Sequence, residues 1–262
     1  YRRQRQMCIR DRGGINGAVN IKGEGDSPEI HFYDTVKGGD FLANQPLCKD
    51  MCYHAPFVIY LLDRLGVPFN RTPEGNLDFR RFGGTLHHRT AFAGATTGQQ
   101  LLYALDEQVR RFETQGLVEK MEWHEYLGAV LDSEGRCVGA TINNLRTGEI
   151  RAERGDAVIL ATGGPGLVYG RSTNSMVCTG TATTSAYLQG AKYGNAEFIQ
   201  IHPSAIPGRD KLRLMSESAR GEGGRVWVPK NPGDERKPRE IPEDERFYFL
   251  EEKYPRFGNL VP

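Results

Sequence analysis

Long hydrophobic runs are missing from this sequence of 262 residues. A helix that crosses a membrane needs roughly 18–20 consecutive apolar residues. The longest apolar stretches here, Phe57–Leu62 and Ala157–Ala161, are only as long as ordinary core elements. We therefore predict that a partner would have to hold the protein at any membrane where it works.

Cysteine is scarce and scattered. The sequence contains no Cys-x-x-Cys pair and no histidine at zinc-site spacing from a cysteine, which argues against a zinc site. An odd number of thiols in a large domain is typical of a reducing compartment. The pattern predicts reduced thiols, with neither a metal site nor a disulfide framework, at Cys8, Cys48, Cys52, Cys137 and Cys178.

Glycine is abundant, with 32 residues or about 12% against a usual ~7%. Paired glycines occur where a backbone turns tightly or approaches a ligand closely. Ordinary turns explain any single pair, but five pairs favour a large bound cofactor. The pairs begin at Gly13, Gly38, Gly83, Gly163 and Gly223.

The first twelve residues differ from the rest of the chain. They hold five arginines and one aspartate and show neither a helical nor a strand period. Residues 1–12 resemble translated sequencing adapter, and we predict a non-native tail. A basic arm for nucleic acid or a membrane surface is the alternative, which nothing else in the chain supports.

Helices and a meander are predicted through the first two thirds of the chain. Capping residues and apolar periodicity predict helices over 26–36, from Gln45 onward with an interruption at Pro56, and over 97–114. Turn signals between short apolar runs predict an antiparallel meander. Its predicted strands are 117–123, 126–131, 136–144 and 149–152.

A buried strand followed by a glycine turn is the first functional signal. Ala157–Ala161 is apolar without alternation, which is typical of a parallel strand covered on both faces. The following turn, Thr162–Gly166, would let backbone N–H groups face a phosphate or a flavin edge. A helix over 181–194 and a strand over 197–202 are predicted next. No strand–GxGxxG–helix unit is present, so the residues alone leave a dinucleotide site and plain loop packing both open.

An ordered set of motifs resembles the flavoprotein subunits of succinate dehydrogenases and fumarate reductases. The set covers essentially all of residues 13–262, and its wording is most similar to the Bacillus-type subgroup. The motifs are Gly13–Asn20, Arg81–Gly84, Arg89-Thr90, Thr97-Gly98, Ala161–Gly164, Thr173-Asn174, Thr179-Gly180, His202–Ser204, Arg213–Gly224 and Tyr254–Pro262.

The resemblance implies an α/β fold: a Rossmann-like FAD domain with an antiparallel β-meander, lacking its N-terminal dinucleotide unit, followed by the start of an α+β capping domain. We place the partial FAD domain at 13–202 and the capping segment at 203–262, where eight of the fourteen prolines lie. The chain would then be an internal piece of a longer protein and inactive alone.

Site residues follow from the same resemblance. His202 and Ser216 would bind a substrate carboxylate, and Glu217 would belong to a proton relay. Phe82 and Gly83 would close the dicarboxylate against the flavin, with Arg220 and Glu222 in the cap wall. For His202 a hydrogen-bonded core histidine is the alternative, and for Arg220 it is an ion pair with Glu222 or Glu217. The expected FAD-binding residues are Gly13, Gly14, Ala161, Thr162, Gly163, Gly164 and Thr181.

Two departures from the family bear on activity. The histidine that carries FAD covalently would fall at Met7, and the catalytic arginine would follow Pro262. Many relatives have aspartate where this chain has Thr181.

The resemblance implies interconversion of succinate and fumarate through FAD, without indicating the direction. The expected partners are an iron–sulfur subunit and a cytochrome b membrane anchor, at the cytoplasmic face of the cell membrane. L-aspartate oxidase, soluble fumarate reductase and an inactive fragment or binding scaffold remain alternatives.

Overall fold

The computed structural model describes residues 13–82, 85–202, 204–210, 212–215 and 218–261. The chain divides into two compact units. Unit 1 comprises residues 1–110 and 216–262, and unit 2 comprises residues 111–215. The tail 1–12, Gly83, Ser216 and Glu217 lie outside the described residues, so the predictions made for them stay predictions. The domain boundary expected near 203 also stays a prediction.

The first part of unit 1 contains the helices α1 (Pro28–Gly38) and α2 (Gln45–Arg64). It also contains α3 (Thr97–Thr114) as far as Arg110. The predicted start of α1 is confirmed, because Ser27 Oγ accepts a hydrogen bond from the N–H of Ile30 at 3.2 Å. The predicted interruption of α2 at Pro56 is wrong. Proline removes one hydrogen bond from the ladder, but α2 continues through it for eight more residues, to Arg64.

A small antiparallel sheet and an apolar core complete this part of unit 1. Strands β1 (Ile15–Asn16), β2 (Phe79–Arg80) and β3 (Thr90–Ala91) form the sheet in the order β1-β3-β2. Burial of apolar surface is the main force that holds such an arrangement together. The core side chains come from the sheet, the helices and the 67–77 loop: Ile59, Val67, Phe69, Leu77, Phe79, Ala91 and Ala104.

Unit 2 is built on the predicted meander, with three strands instead of four. Strands β4 (His124–Leu131), β5 (Cys137–Asn144) and β6 (Ile150–Arg154) pair antiparallel in chain order. The strand predicted over 117–123 is not formed. Leu117 is 71% exposed, so its apolar run has no surface to pack on.

The predicted buried strand Ala157–Ala161 is also wrong. The segment has no regular structure, and Ile159 is 89% exposed. A strand needs a neighbour to accept and donate its backbone hydrogen bonds. No described residue pairs with this segment, and the sequence contains no strand–GxGxxG–helix unit that could supply a parallel neighbour.

Later elements are shorter than predicted. Helix α4 (Thr181–Leu188) ends six residues early, where Gln189 is followed by Gly190 with φ of +100°. The strand predicted over 197–202 is not formed, and the chain pairs only afterwards, as β7 (Ala205–Ile206) with β8 (Arg213–Leu214).

The second part of unit 1 holds α5 (Ser218–Gly221), the antiparallel pair β9 (Val228–Pro229) and β10 (Arg246–Phe247), and α6 (Phe249–Lys253). Among the described residues, no helix combines the length and the apolar character that crossing a membrane requires.

Candidate functional site

Helix α4 is attached to the edge of the meander by two polar side chains. The amide of Gln189 pairs with the backbone of Ala129, accepting from its N–H at 2.9 Å and donating to its carbonyl at 2.8 Å. Ser185 Oγ donates to the carbonyl of Leu127 at 2.7 Å. The register of β4 shifts between Tyr126 and Gly128, and a Cβ at Gly128 would lie 3.2 Å from the Gln189 amide. Gly128 therefore gives the helix room to approach the strand.

A cavity of about 210 Å³ lies beside the N-terminal end of α4. Its walls come from three segments of unit 2: the start of β4, the turn after Ala161 and the loop that leads into α4. The lining residues are Glu125, Tyr126, Thr162, Val177, Thr179, Gly180, Thr181 and Ala182. Two residues expected to bind FAD, Thr162 and Thr181, thus face one hollow.

The loops around this cavity are packed tightly because several positions lack a side chain. Gly180 has φ of +76° and precedes α4, and a Cβ there would lie 2.7 Å from Pro165 Cβ. A Cβ on Gly166 would lie 2.7 Å from Asn174 Cβ, and the N–H of Leu167 donates to the carbonyl of Cys178 at 3.0 Å. These contacts fix the Thr162–Gly166 turn against the loop before α4.

Both backbone and side-chain groups contribute polar atoms to the cavity. Gly180 offers no side chain to cap α4, and at this end of the helix the N–H of Thr181 donates to Thr179 Oγ1 at 3.5 Å. Burial raises the pKa of the Tyr126 phenol, with a smaller contribution from Cys137, so the hydroxyl stays protonated and can donate.

Gly163 and Gly164 follow Thr162 without tight packing, since a Cβ on Gly163 would lie 3.6 Å from Cys178 Sγ. Gly163 has φ of +76°, a conformation that favours glycine, and a Cβ on Gly164 would meet nothing within 4 Å. Ala161 is exposed as well. This backbone is accessible to a ligand.

Gly13 and Gly14 lie in unit 1, against β3. A Cβ on Gly14 would clash with the methyl group of Thr90 and lie 2.6 Å from the carbonyl oxygen of Ala91. The carbonyl of Gly13 accepts hydrogen bonds from the Arg80 guanidinium and from Thr97 Oγ1. The first glycine pair is thus held at the edge of the small sheet.

Phe82 is hydrogen-bonded to Thr85 and lies next to α5. Its N–H donates to Thr85 Oγ1 at 3.2 Å, and its carbonyl accepts from the N–H of Thr85 at 3.0 Å. A Cβ on Gly221 would lie 2.5 Å from the carbonyl oxygen of Arg81, so α5 packs directly on this backbone. The helix that follows Ser216 and Glu217 in the chain therefore contacts the segment that bears Phe82.

The two cap-wall residues make different contacts. Arg220 Nη1 donates to the carbonyls of Asn259 and Val261 at 3.1 and 2.7 Å, and Asn259 donates back to the carbonyl of Arg220 at 2.9 Å. Glu222 lies 3.8 Å from Arg80 instead. The contacts described for Arg220 thus favour a structural tie to the 258–261 segment over an ion pair with Glu222.

His202 is half-buried in unit 2. Its backbone N–H donates to Thr173 Oγ1 at 2.8 Å, and its Nδ1 lies 3.1 Å from the carbonyl oxygen of Ser204. A carbonyl can only accept, so Nδ1 carries the proton. The neutral ring then presents Nε2 as an acceptor, and only the imidazolium could donate from Nε2 to a carboxylate.

Comparison with known proteins decides the family. The family described as "FAD binding domain" matches residues 11–235. The chain belongs to this family. Its cofactor is FAD, as predicted from the sequence.

Relatives agree on the kind of flavoprotein. The chain is 66% identical over 261 residues to the succinate dehydrogenase flavoprotein subunit of Bacillus subtilis, covering 100% of this chain and 42% of that protein. It is 36% identical over 215 residues to the fumarate reductase flavoprotein subunit of Escherichia coli, covering 82% of this chain and 35% of that one. The chain thus spans less than half the length of these relatives.

A solved quinol fumarate reductase from Escherichia coli superposes with a TM-score of 0.77 at 34% identity, over 86% of this chain and 37% of that chain. The predicted FAD-domain fold is thereby confirmed, although its parallel strand at 157–161 is not formed here.

The residues of unit 2 fit one end of FAD. Ligand pockets are typically about 300–1,000 Å³, so a cavity of about 210 Å³ could enclose only part of a dinucleotide. The N-terminal end of α4 and the hydroxyls of Thr179 and Thr181, which lie 2.9 Å apart, suit phosphate or ribose oxygens, and the accessible Gly163-Gly164 backbone would allow close approach.

Sequence reasoning missed Glu125 and Tyr126 in this cavity. Both lie at the start of β4, and strand alternation alone does not indicate which end of a strand a helix will approach. Gly128 inside the predicted strand was the available signal, since glycine inside a strand marks a bulge or a close backbone approach.

Proposed function

We propose that the protein carrying this chain is the flavoprotein subunit of a succinate:quinone oxidoreductase, of the succinate dehydrogenase/fumarate reductase type. The observation that carries the proposal is the 66% identity to a succinate dehydrogenase flavoprotein subunit across the whole chain, the Arg213–Gly224 motif included. In the reaction, succinate loses a hydride and a proton and becomes fumarate. FAD supplies the acceptor for the hydride.

Substrate binding is proposed for His202, Ser216, Phe82 and Gly83. The Ser204 carbonyl holds the Nδ1 proton of His202 and so orients the ring. Protonated at Nε2, the imidazolium would donate a charge-assisted hydrogen bond to one carboxylate of the substrate. The hydroxyl of Ser216 would add a neutral hydrogen bond.

The turn at Phe82 would exclude water from the bound dicarboxylate, which strengthens the charged contacts. Two contacts support Phe82 itself: its N–H donates to Thr85 Oγ1, and α5 packs on the preceding residue, Arg81. Glu217 is proposed for the proton relay, since it immediately precedes α5.

The proposal of partner subunits rests on the relatives, because both are named as flavoprotein subunits. An iron–sulfur subunit would take electrons from the flavin, and a cytochrome b subunit would anchor the assembly at the cytoplasmic face of the cell membrane. Copurification of both with the tagged flavoprotein from native membranes tests this assignment.

Dye reduction tests the reaction itself. The full-length protein, isolated with its flavin, is expected to reduce a redox dye with succinate, and malonate is expected to inhibit competitively. Reduction with L-aspartate but not with succinate would overturn the proposal.

A further inference from the structure

The backbone of His202 depends on the hydroxyl of a distant side chain. Residues 198–202 form neither helix nor strand, so the N–H of His202 belongs to no regular hydrogen-bond ladder. A half-buried backbone N–H nevertheless needs an acceptor. Thr173 Oγ1 supplies it at 2.8 Å, from 29 positions earlier in the chain. One threonine hydroxyl thus fixes the backbone of the residue proposed to bind the substrate.

Thr173 is itself held in place within unit 2. The N–H of Asn174 donates to Ser172 Oγ at 3.1 Å, which ties together the residues on either side of Thr173. Ser172 is 4% exposed, and its carbonyl accepts from the N–H of Leu212 at 3.1 Å. Asn174 packs on Gly166, where a Cβ would lie 2.7 Å from Asn174 Cβ. Thr173 therefore offers its hydroxyl from a well-packed segment.

The imidazole of His202 has a second, separate contact. Its Nδ1 lies 3.1 Å from the carbonyl oxygen of Ser204, which also accepts from the N–H of Met215 at 2.8 Å. The contact with Thr173 places the backbone of His202, and the contact with Ser204 sets the rotation and the tautomer of the ring. Binding side chains must be held within about 0.5 Å of the productive geometry, so both contacts matter for a ligand.

We propose that Thr173 is a positioning residue for substrate binding, whose hydroxyl holds the backbone of His202 so that the imidazole meets a substrate carboxylate. This inference rests on the proposed function, in which His202 binds one carboxylate of succinate. Thr173 contacts neither substrate nor flavin in this role and acts through His202. Because Asn174 packs on the Thr162–Gly166 turn, the same short segment joins the expected flavin-binding turn to the substrate histidine.

The test compares Thr173→Val with Thr173→Ser in the full-length protein with its flavin. Valine keeps the shape of threonine without an acceptor, whereas serine keeps the hydroxyl. In Thr173→Val the KM for succinate and the Kd for malonate are expected to rise about fivefold, as for the loss of one hydrogen bond, with kcat little changed. Thr173→Ser should stay close to the wild type in both constants.

Thr147→Val is the matched control. Thr147 Oγ1 also accepts a hydrogen bond from a backbone N–H, that of Glu149 at 3.3 Å, but at an exposed turn of the meander. Both constants should stay unchanged in this variant. Should Thr173→Val retain no flavin, Thr173→Ala takes its place with the same expectations, because a water molecule can enter beside alanine and satisfy the N–H of His202.

The split between KM and kcat separates positioning from support of the fold. If Thr173 only stabilised the fold, its loss would lower flavin content and apparent kcat together while KM and the Kd for malonate stayed constant. That result, or equal effects of valine and serine, overturns the inference and leaves the proposed function standing. A wild-type protein that neither oxidises succinate nor binds malonate overturns both.

Discussion

Replacing Asp26 with asparagine should destabilise unit 1 severely, because Arg89 would keep its charge in a buried position. The Arg89 side chain is 0% exposed and that of Asp26 is 2% exposed. The two form a bidentate pair, with Nε to Oδ2 at 3.0 Å and Nη2 to Oδ1 at 2.7 Å. Removing one partner of a buried pair costs about 3–5 kcal/mol.

Two features of the structure set the expected magnitude. Asp34 also lies 2.9 Å from Nη2 of Arg89, and it is 34% exposed, so part of the compensation remains in the variant. We therefore expect about 3 kcal/mol, the lower end of that range. Against a total stability of roughly 5–15 kcal/mol, the loss would be large. The same region is tied to the segment that follows the predicted cofactor glycines Gly13 and Gly14, since the carbonyl of Arg89 accepts from the N–H of Gly17 at 2.8 Å.

Urea unfolding followed by fluorescence measures this effect, with Trp227 as the reporter within unit 1. Glu153→Gln is the matched control, because its partner Arg151 is 46% exposed and exposed pairs contribute about 1 kcal/mol or less. The double variant Asp26→Leu with Arg89→Met should recover part of the loss, since no buried charge is left without a partner. Equal losses in Asp26→Asn and in the control would refute the reasoning.

Three further predictions concern stability and flavin binding. Gly14→Ala should lower the free energy of unfolding in urea by about 1–3 kcal/mol, because the new Cβ would clash with β3. Gly38→Ala, where a Cβ meets nothing within 4 Å, should lower it little. Equal losses in the two variants would contradict the packing described for Gly14. Gln189→Ala should weaken FAD binding in a fluorescence titration, because α4 loses both hydrogen bonds to the backbone of Ala129. Gln115→Ala, at an exposed position, is the control. Unchanged FAD affinity in Gln189→Ala would show that FAD binding does not require these two hydrogen bonds. Burial is the main cause that lowers the pKa of His31 from 6.5, with Arg89 adding to it, so stability should be full above pH 6.5 and decline as pH falls below it. His31→Asn should show less of this decline in unfolding at pH 5 and 7, and an identical pH profile would contradict a neutral buried His31.

Local signals in the sequence predicted the elements whose stabilising contacts are local. The hydroxyl of Ser27 caps α1 within four residues, and α3 runs over the predicted 97–114, where its periodic apolar residues all lie within the helix. The meander was predicted for the same reason, since its turns join neighbouring strands.

Elements that depend on distant neighbours were not predicted. Ala157–Ala161 has the composition of a buried strand, but composition cannot supply the adjacent strand that its backbone requires. At Pro56 the sequence predicted an interruption that the structure does not show. A helix tolerates one lost hydrogen bond when the rest of its hydrogen-bond ladder is intact.

The candidate site, too, was predicted only where no long-range contact was needed. The resemblance pointed to Thr162 and Thr181, and the structure brings both to one cavity. Tyr126 and Glu125 join them only because Gln189 and Ser185 attach α4 to β4, a contact between residues about sixty positions apart. Such a contact leaves no periodic trace in a sequence.

Anaerobic titration of the flavin in the full-length protein tests the proposed function most directly. Succinate is expected to bleach the flavin absorbance, and malonate is expected to prevent the bleaching. A flavin spectrum that succinate leaves unchanged while L-aspartate bleaches it would contradict the account.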